Sequence, residues 1–194
     1  MGSVTTTRRR LNNLYWERRL GISTRGVVAT SHEDSVHYSS LPYSVILPIL
    51  DHLALGPSDV FVDVGSGKGR VLCCAARYPV RQVVGVDYSA PLCEEARENA
   101  RRMRDRRAPI SVQQSEADDF DYSGATALFM FNPFGAATLA SLLRKIRQDA
   151  PRRLRIAYAF PEREEVFDEH PWLERTDHWD AADIAHTVSF FETR

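Results

Sequence analysis

Short, mostly apolar runs alternate with amphipathic stretches over most of the chain. An apolar run of strand length is typical of a strand that is buried on both faces. The strands predicted in this way are 60–62, 82–86, 110–113, 125–131 and 154–160. Between them, apolar residues recur at helical spacing, which predicts helices over 68–78, 89–107 and 136–148. Repeated strand–helix units predict an α/β fold: a doubly wound, mostly parallel sheet with right-handed crossovers and helices on both faces.

The two ends of the chain extend this pattern. A polar N-terminal arm, residues 1–40, is predicted to contain a short helix around 9–20, and a helix kinked or restarted at Pro48 follows over 41–55. After a short acidic helix beginning at Pro161, runs at 172–178 and 186–192 predict two closing strands, which would add an antiparallel edge. We therefore expect one domain over 41–194, preceded by the arm.

Composition narrows the class of protein. The 194 residues are 43% apolar and 26% charged, with a formal net charge of −1, which is ordinary for a globular domain. No apolar run approaches the roughly 20 residues of a membrane helix. The three cysteines show no CxxC spacing, and together with the lack of a signal-like stretch they favour a reduced, cytoplasmic setting.

A glycine-rich turn follows the first predicted strand. Gly65, Gly67 and Gly69 form a GxGxG pattern in which Ser66 is the first intervening residue. Asp63 lies two residues before Gly65. This spacing differs from both the GxGxxG turn of dinucleotide enzymes and the P-loop. A carboxylate at Asp63 would repel a pyrophosphate, whereas it suits a ligand with an ammonium and a sulfonium group.

A second acidic residue ends the second predicted strand. Asp87 comes about 20 residues after the glycine turn, where a carboxylate commonly accepts hydrogen bonds from ribose hydroxyls. The alternative is that Asp87 contributes only to the helix start beside Ser89. Asp63, the turn and Asp87 in combination indicate a nucleoside ligand that carries positive charge.

In this combination the chain resembles the class I S-adenosylmethionine (SAM)-dependent methyltransferases. The stretches 63–69, 84–87, 115–120 and 129–134 are similar to the first four motifs of that family. The resemblance implies a seven-stranded Rossmann-like sheet with the last strand antiparallel, SAM as cofactor and S-adenosylhomocysteine (SAH) as product. It further implies glycine contacts to the methionine moiety, Asp87 on the ribose, and Glu116 with Ala117 at the adenine. The cofactor-binding residues expected on this basis are Tyr43, Asp63, Gly65, Ser66, Gly67, Gly69, Asp87, Tyr88, Glu116, Ala117 and Asn132.

The triplet Asn132-Pro133-Phe134 bears on the chemistry. It is similar to the Asn/Asp-Pro-Pro-Tyr/Phe motif of amino-group methyltransferases, although the second proline is absent. That similarity implies catalytic roles: the Asn132 side chain accepts a hydrogen bond from the target nitrogen, and the Phe134 ring packs beside the substrate. The alternative is structural, with Asn132 capping the next helix, Pro133 in its first turn and Phe134 in the core.

Other acceptors and reactions stay open. An O-methyl acceptor usually needs a general base, for which His32, His37, His178 and His186 are candidates. A SAM-binding domain without methyl transfer is a further alternative. The histidines and aspartates of 178–186 lack a compact ligand motif, so no metal is expected.

Charge is unevenly distributed, at +5 over residues 1–30 and −7 over 161–194. We expect either an acidic entrance for a cationic small molecule or protein side chain, covered by the basic arm, or two solvated faces. The arginine run at 101–107 lacks interleaved aromatic residues, so a nucleic-acid partner is not expected. Oligomeric state cannot be predicted from the sequence.

Overall fold

The computed structural model describes residues 2–26, 40–132, 134–149, 153–180 and 187–194. Its seven strands are β1 (Val60–Val64), β2 (Gln82–Asp87), β3 (Ile110–Gln114), β4 (Ala127–Phe131), β5 (Arg155–Ala159), β6 (Leu173–Trp179) and β7 (Val188–Thr193). Its α-helices are α1 (Gly2–Leu20), α2 (Tyr43–His52), α3 (Arg70–Ala75), α4 (Ala90–Arg102) and α5 (Ala136–Asp149), with a 3-10 helix at Glu164–Glu169.

All seven strands form one sheet in the order β3-β2-β1-β4-β5-β7-β6. The pairs from β3 to β5 are parallel, and β7 runs antiparallel to both of its neighbours. The predicted Rossmann-like sheet with an antiparallel last strand is therefore confirmed. The order reverses between β1 and β4, so the carboxyl ends of these strands border the crevice where such sheets bind ligands.

The predicted elements are confirmed with shifted ends. The helix expected over 68–78 is shorter, because Gly67 and Gly69 hold positive φ angles of 52° and 78° and α3 starts only at Arg70. In contrast, α1 runs well before residue 9, back to Gly2. The short acidic helix is 3-10 rather than α.

Two hydrophobic clusters cover the two faces of the sheet. One joins α1, α2, α3 and one side of the central strands, and the other joins α5, the 3-10 helix and the opposite side. Alternation along β1 divides its residues between them, with Phe61 in the first cluster and Val62 and Val64 in the second. This burial on both faces explains why the parallel strands read as continuous apolar runs.

Within the described residues, no helix is long and apolar enough to cross a membrane. Cys73, Cys74 and Cys93 are buried and free, and the first two lie on α3 as the small apolar residues of that helix.

Candidate active site

The glycine turn forms a tight connection from β1 to α3. Gly65 also has a positive φ angle, 78°, so all three glycines adopt backbone that other residues take up at a cost. The amides of Gly65 and Ser66 both donate to the carbonyl of Val86, at 2.8 and 3.0 Å, which ties the turn to the end of β2. Gly65 is exposed while Ser66 is buried, and the Ser66 hydroxyl has no partner among the described residues.

Asp87 links the first two motifs directly. Its Oδ2 accepts a hydrogen bond from the Gly67 amide at 2.8 Å, and its Oδ1 accepts one from the Ser89 amide at 2.9 Å. The second bond lies at the start of α4, where the Ser89 side chain itself makes no cap. Burial raises the pKa of the Asp87 carboxyl, and the charge of Glu116 raises it further, against the two amides that lower it. Each carboxylate oxygen keeps one lone pair for a ligand.

Asp63 is the more deeply buried of the two carboxylates, at 3% exposure. Burial raises its pKa well above the ordinary value of 3.8, and the neighbouring charge of Asp87 adds to the rise. No described cation contributes an opposing effect. A buried carboxylate whose charge no described cation offsets is one that a positively charged ligand would stabilise in its ionised form.

The third motif lies after β3, on the same edge of the sheet. The Ser115 amide donates to the Asp87 carbonyl at 3.1 Å, which holds this loop against β2. Glu116 is exposed and its charge is felt at Asp87, whereas Ala117 is buried. Tyr88 is half-buried beside them. The structure therefore brings the predicted ribose and adenine residues together at the carboxyl ends of β2 and β3.

Asn132 follows β4 in a conformation set by its neighbours. It has a φ of 34°, in the left-handed region that asparagine tolerates better than most residues, and it is 6% exposed. Its Oδ1 accepts a hydrogen bond from the Tyr158 hydroxyl at 3.2 Å. Burial raises the pKa of Tyr158 to about 12, so this hydroxyl keeps its proton at neutral pH. Because α5 begins at Ala136, Asn132 does not cap that helix, and the structural alternative for this residue is wrong.

The other members of the triplet differ from Asn132. Pro133 lies outside the described residues. Phe134 is half-buried and packs against the α5-side cluster, as its structural alternative stated. Phe160, which the sequence did not single out, is instead 43% exposed after β5, with a φ of 55° and its ring centroid 6.5 Å from that of Phe131. Non-glycine residues at positive φ concentrate at functional sites.

Tyr43 is placed in the core rather than at the opening. Its side chain is fully buried, its ring stacks on Trp16 at 6.1 Å, and the Arg70 guanidinium lies 4.9 Å from its centroid. The structure thus makes Tyr43 a core aromatic rather than the cofactor contact that the resemblance implies.

A buried polar network that the sequence did not reveal fastens the N-terminal arm behind the glycine turn. Arg70 donates to the Thr24 hydroxyl at 2.7 Å and to the Leu41 carbonyl at 2.8 Å, and its guanidinium lies 3.4 Å from the Glu17 carboxylate. Lys68 donates to the Arg25 carbonyl at 2.8 Å. Residues 17–25 are therefore packed on the domain, while residues 27–39, with His32 and His37, lie outside the described residues.

The candidate base His178 does not lie beside Asn132, whereas the pKa of Tyr158, the partner of Asn132, is raised by burial and by the charges of Glu162 and Glu165. The His178 ring bonds the Ser189 hydroxyl at 2.9 Å on β6, which is three strand spacings, or about 14 Å, from β4. No group of three potential metal ligands occurs among the described residues. His186 and Asp183 lie outside them.

Residues 61–150, a little under half of the chain, match a protein family described as a methyltransferase domain. A stretch of 45 residues is 44% identical to the Histone-lysine N-methyltransferase, H3 lysine-79 specific, of Caenorhabditis elegans. That stretch is 23% of this chain and only 5% of the curated relative.

Solved structures share the fold at low identity. An RNA methyltransferase from Salinibacter ruber, in complex with SAH, superposes with a TM-score of 0.65 at 22% identity, over 80% of this chain and 94% of that one. A SAM-dependent methyltransferase from Aquifex aeolicus gives 0.63 at 13% identity, over 78% and 92%. At these identities the likeness shows the fold only, and it does not identify the methyl acceptor of this chain.

Proposed function

We propose that this chain, which carries a methyltransferase domain of the class I fold with S-adenosyl-L-methionine as its cofactor, transfers a methyl group to a nitrogen atom of a small molecule or a protein side chain. The observation that carries the proposal is the side-chain oxygen of Asn132, just after β4, which is buried and held in place by the Tyr158 hydroxyl. The curated relative named above, a histone-lysine N-methyltransferase, adds support for a nitrogen acceptor.

The residues around the glycine turn fit this cofactor. A buried carboxylate without a cation, Asp63, matches the positive charges of SAM, and the unpaired Ser66 hydroxyl is a polar group still to be satisfied. Exposed Gly65 leaves room for close approach, and the free lone pairs of Asp87 suit the two ribose hydroxyls. When bound, the cofactor supplies an electrophilic methyl group on its sulfonium.

The chain's own residues then act mainly by positioning. An amide oxygen has two lone pairs, and Tyr158 occupies only one at Asn132, so the other can accept an N–H from the acceptor. That hydrogen bond would fix the direction of the nitrogen lone pair, and correct alignment alone supplies much of the rate of a bimolecular transfer. Exposed Phe160 and half-buried Phe131 would form an aromatic wall that favours the positive charge that a neutral amine gains as it takes the methyl group, before the product ammonium gives up its proton to water.

An acceptor hydroxyl would need a base, and the candidate His178 lies on β6, three strands from β4. Together with the side-chain oxygen of Asn132, this supports nitrogen over oxygen as the acceptor. O-methyl transfer and cofactor binding without transfer are the outcomes that the experiment must distinguish from it.

The test is the variant Asn132→Ala, assayed for SAH release with panels of amine and of hydroxyl acceptors. We expect the wild type to turn over amines, and the variant to lose about 100-fold in kcat while its SAM affinity changes little. Tyr158→Phe, which removes only the hydroxyl that orients Asn132, should lose less. Turnover of hydroxyl acceptors alone would refute nitrogen as the target, and SAM binding without SAH from either panel would indicate a binding domain.

A further inference from the structure

The outward face of α1 is both basic and apolar. Leu11 is 62% exposed and Tyr15 is 54% exposed, which is unusual for large hydrophobic residues on a helix that packs on a core. Together with Arg18 and Arg19 they line a shallow groove of about 400 Å³. Arg8 lies two helical turns before Tyr15 and therefore on the same face.

The fold brings a second arginine run to the end of this helix. The Arg104 amide donates to the Leu20 carbonyl at 2.8 Å, and the Arg19 guanidinium lies 3.5 Å from the Asp105 carboxylate. Residues 101–107 thereby continue the surface of α1, although about 80 residues separate the two segments in sequence. We call residues 8–19 and 101–107 the basic surface.

The charge of the basic surface is strongly one-sided. Each of its two segments contains five arginines, and nine of the ten are exposed, at positions 8, 10, 18, 19, 101, 102, 104, 106 and 107. Three carboxylates lie in or beside it: Glu17 is buried against Arg70, Asp105 lies near Arg19, and Glu98 pairs with Arg101, so the arginines remain in large excess. A concentration of arginines on one face of a chain that is neutral overall indicates a polyanionic partner.

Aromatic side chains lie within this surface as well. The Tyr15 ring packs edge-on against Trp16 at 5.4 Å, and its hydroxyl accepts a hydrogen bond from Arg19 at 3.1 Å, so the ring is held in place while more than half of it is exposed. Taken alone, the run at 101–107 has no aromatic residue. Tertiary packing supplies one, and a fixed aromatic ring among arginines is the arrangement on which unpaired bases stack.

The basic surface lies away from the candidate active site. Helix α4 runs back from the carboxyl end of β2, so its last turn and residues 101–107 lie towards the amino ends of the strands. Consistent with this, the Arg107 amide donates to the carbonyl of Ala76, just past the end of α3.

We propose that the basic surface binds single-stranded nucleic acid through its phosphates, with Tyr15 stacking on a base. Arginines that meet phosphates provide sequence-independent affinity, and the exposed ring favours unpaired over paired bases. This binding requires neither SAM nor a methyl acceptor, so it stands or falls separately from the proposed transfer reaction.

The test is fluorescence anisotropy of the full chain with labelled 12-nucleotide probes, between 50 and 300 mM salt, without SAM. The probes are oligo(U) RNA, oligo(dT) and a DNA duplex of equal length, with a polyglutamate peptide as a general polyanion. The variants are Arg8→Gln with Arg18→Gln, Arg106→Gln with Arg107→Gln, and Tyr15→Ala. The matched control is Arg175→Gln with Arg194→Gln, two exposed arginines at the other side of the sheet.

We expect a single-stranded probe to bind most tightly, with affinity falling steeply as salt increases. Each double variant at the basic surface should weaken binding by about three- to tenfold and flatten the log–log salt slope by up to ~1.4, since each single-strand phosphate contact contributes about 0.7. Tyr15→Ala should weaken single strands by about tenfold or more and duplex less. The proposal is wrong if no probe binds at 50 mM salt, if the control pair weakens binding equally, or if polyglutamate or duplex binds as tightly as the single strands.

Discussion

Replacing Asp87 with asparagine tests the cofactor site most directly. Both carboxylate oxygens already hold a backbone amide, from Gly67 at 2.8 Å and from Ser89 at 2.9 Å. The charged side chain therefore has two lone pairs left, one for each ribose hydroxyl. In the variant, one oxygen becomes an NH2 group, which cannot accept and which faces an amide donor. The loss of one charge-assisted hydrogen bond, about 1.5–3 kcal/mol, predicts a Kd weaker by about 10- to 150-fold.

Isothermal titration with both SAM and SAH measures this loss. Both ligands carry the ribose, so both should weaken to the same extent, whereas an effect of charge alone would fall mainly on SAM with its sulfonium. The matched control is Asp121→Asn, because Asp121 accepts from the Ser123 amide at 2.9 Å in the same i to i+2 turn as Asp87 and Ser89. Unchanged affinity of folded Asp87→Asn for both ligands would refute the ribose assignment.

Two further predictions concern buried charges. Burial raises the folded-state pKa of Asp63, so its contribution to stability is complete below pH ~3.8 and is lost as the pH rises through the folded-state pKa. Asp63→Asn should therefore raise the melting temperature of the ligand-free protein at neutral pH and weaken SAM binding. A lowered melting temperature would contradict the assigned burial cost. Glu17→Gln should destabilise the chain by about 3–5 kcal/mol in urea unfolding, because it leaves the Arg70 guanidinium buried without its carboxylate. Glu98→Gln, which breaks the exposed pair with Arg101, should change little, and equal effects of the two variants would show that the Glu17 network does not stabilise the fold.

Much of the sheet could be predicted from the chain because local pattern and burial agree there. The residues of β1 and β4 are apolar at nearly every position, and both strands are covered on both faces. The glycine turn was also readable, since three residues in alternate positions need positive φ angles that glycine adopts freely. Element ends were less predictable, because α3 begins where the turn stops constraining the backbone.

The candidate site was readable only in part. Asp63 lies two residues before the turn and Asp87 ends the next strand, so the parallel pairing of β1 with β2 brings both carboxylates to the same end of the sheet. Tyr158 was missed, because its hydroxyl reaches Asn132 only through the pairing of β5 with β4, in which Met130 stands opposite Tyr158. The signal for Tyr158 is its position near the carboxyl end of the strand that follows the Asn132 motif. Tyr43 was expected near the cofactor, since its sequence position does not reveal that Trp16 and Arg70 enclose it.

The sequence alone thus determined the fold class, the glycine turn and the two acidic residues beside it, because each depends on local periodicity or on a short fixed spacing. Only the tertiary structure decided which side chains from distant segments share one environment. It placed Glu17 and Thr24 around Arg70, gave Asn132 its partner Tyr158, and joined α1 to residues 101–107 in one basic surface. The physical reason is that burial and charge pairing depend on distances in space, which strand order and helix packing set and which no local pattern encodes.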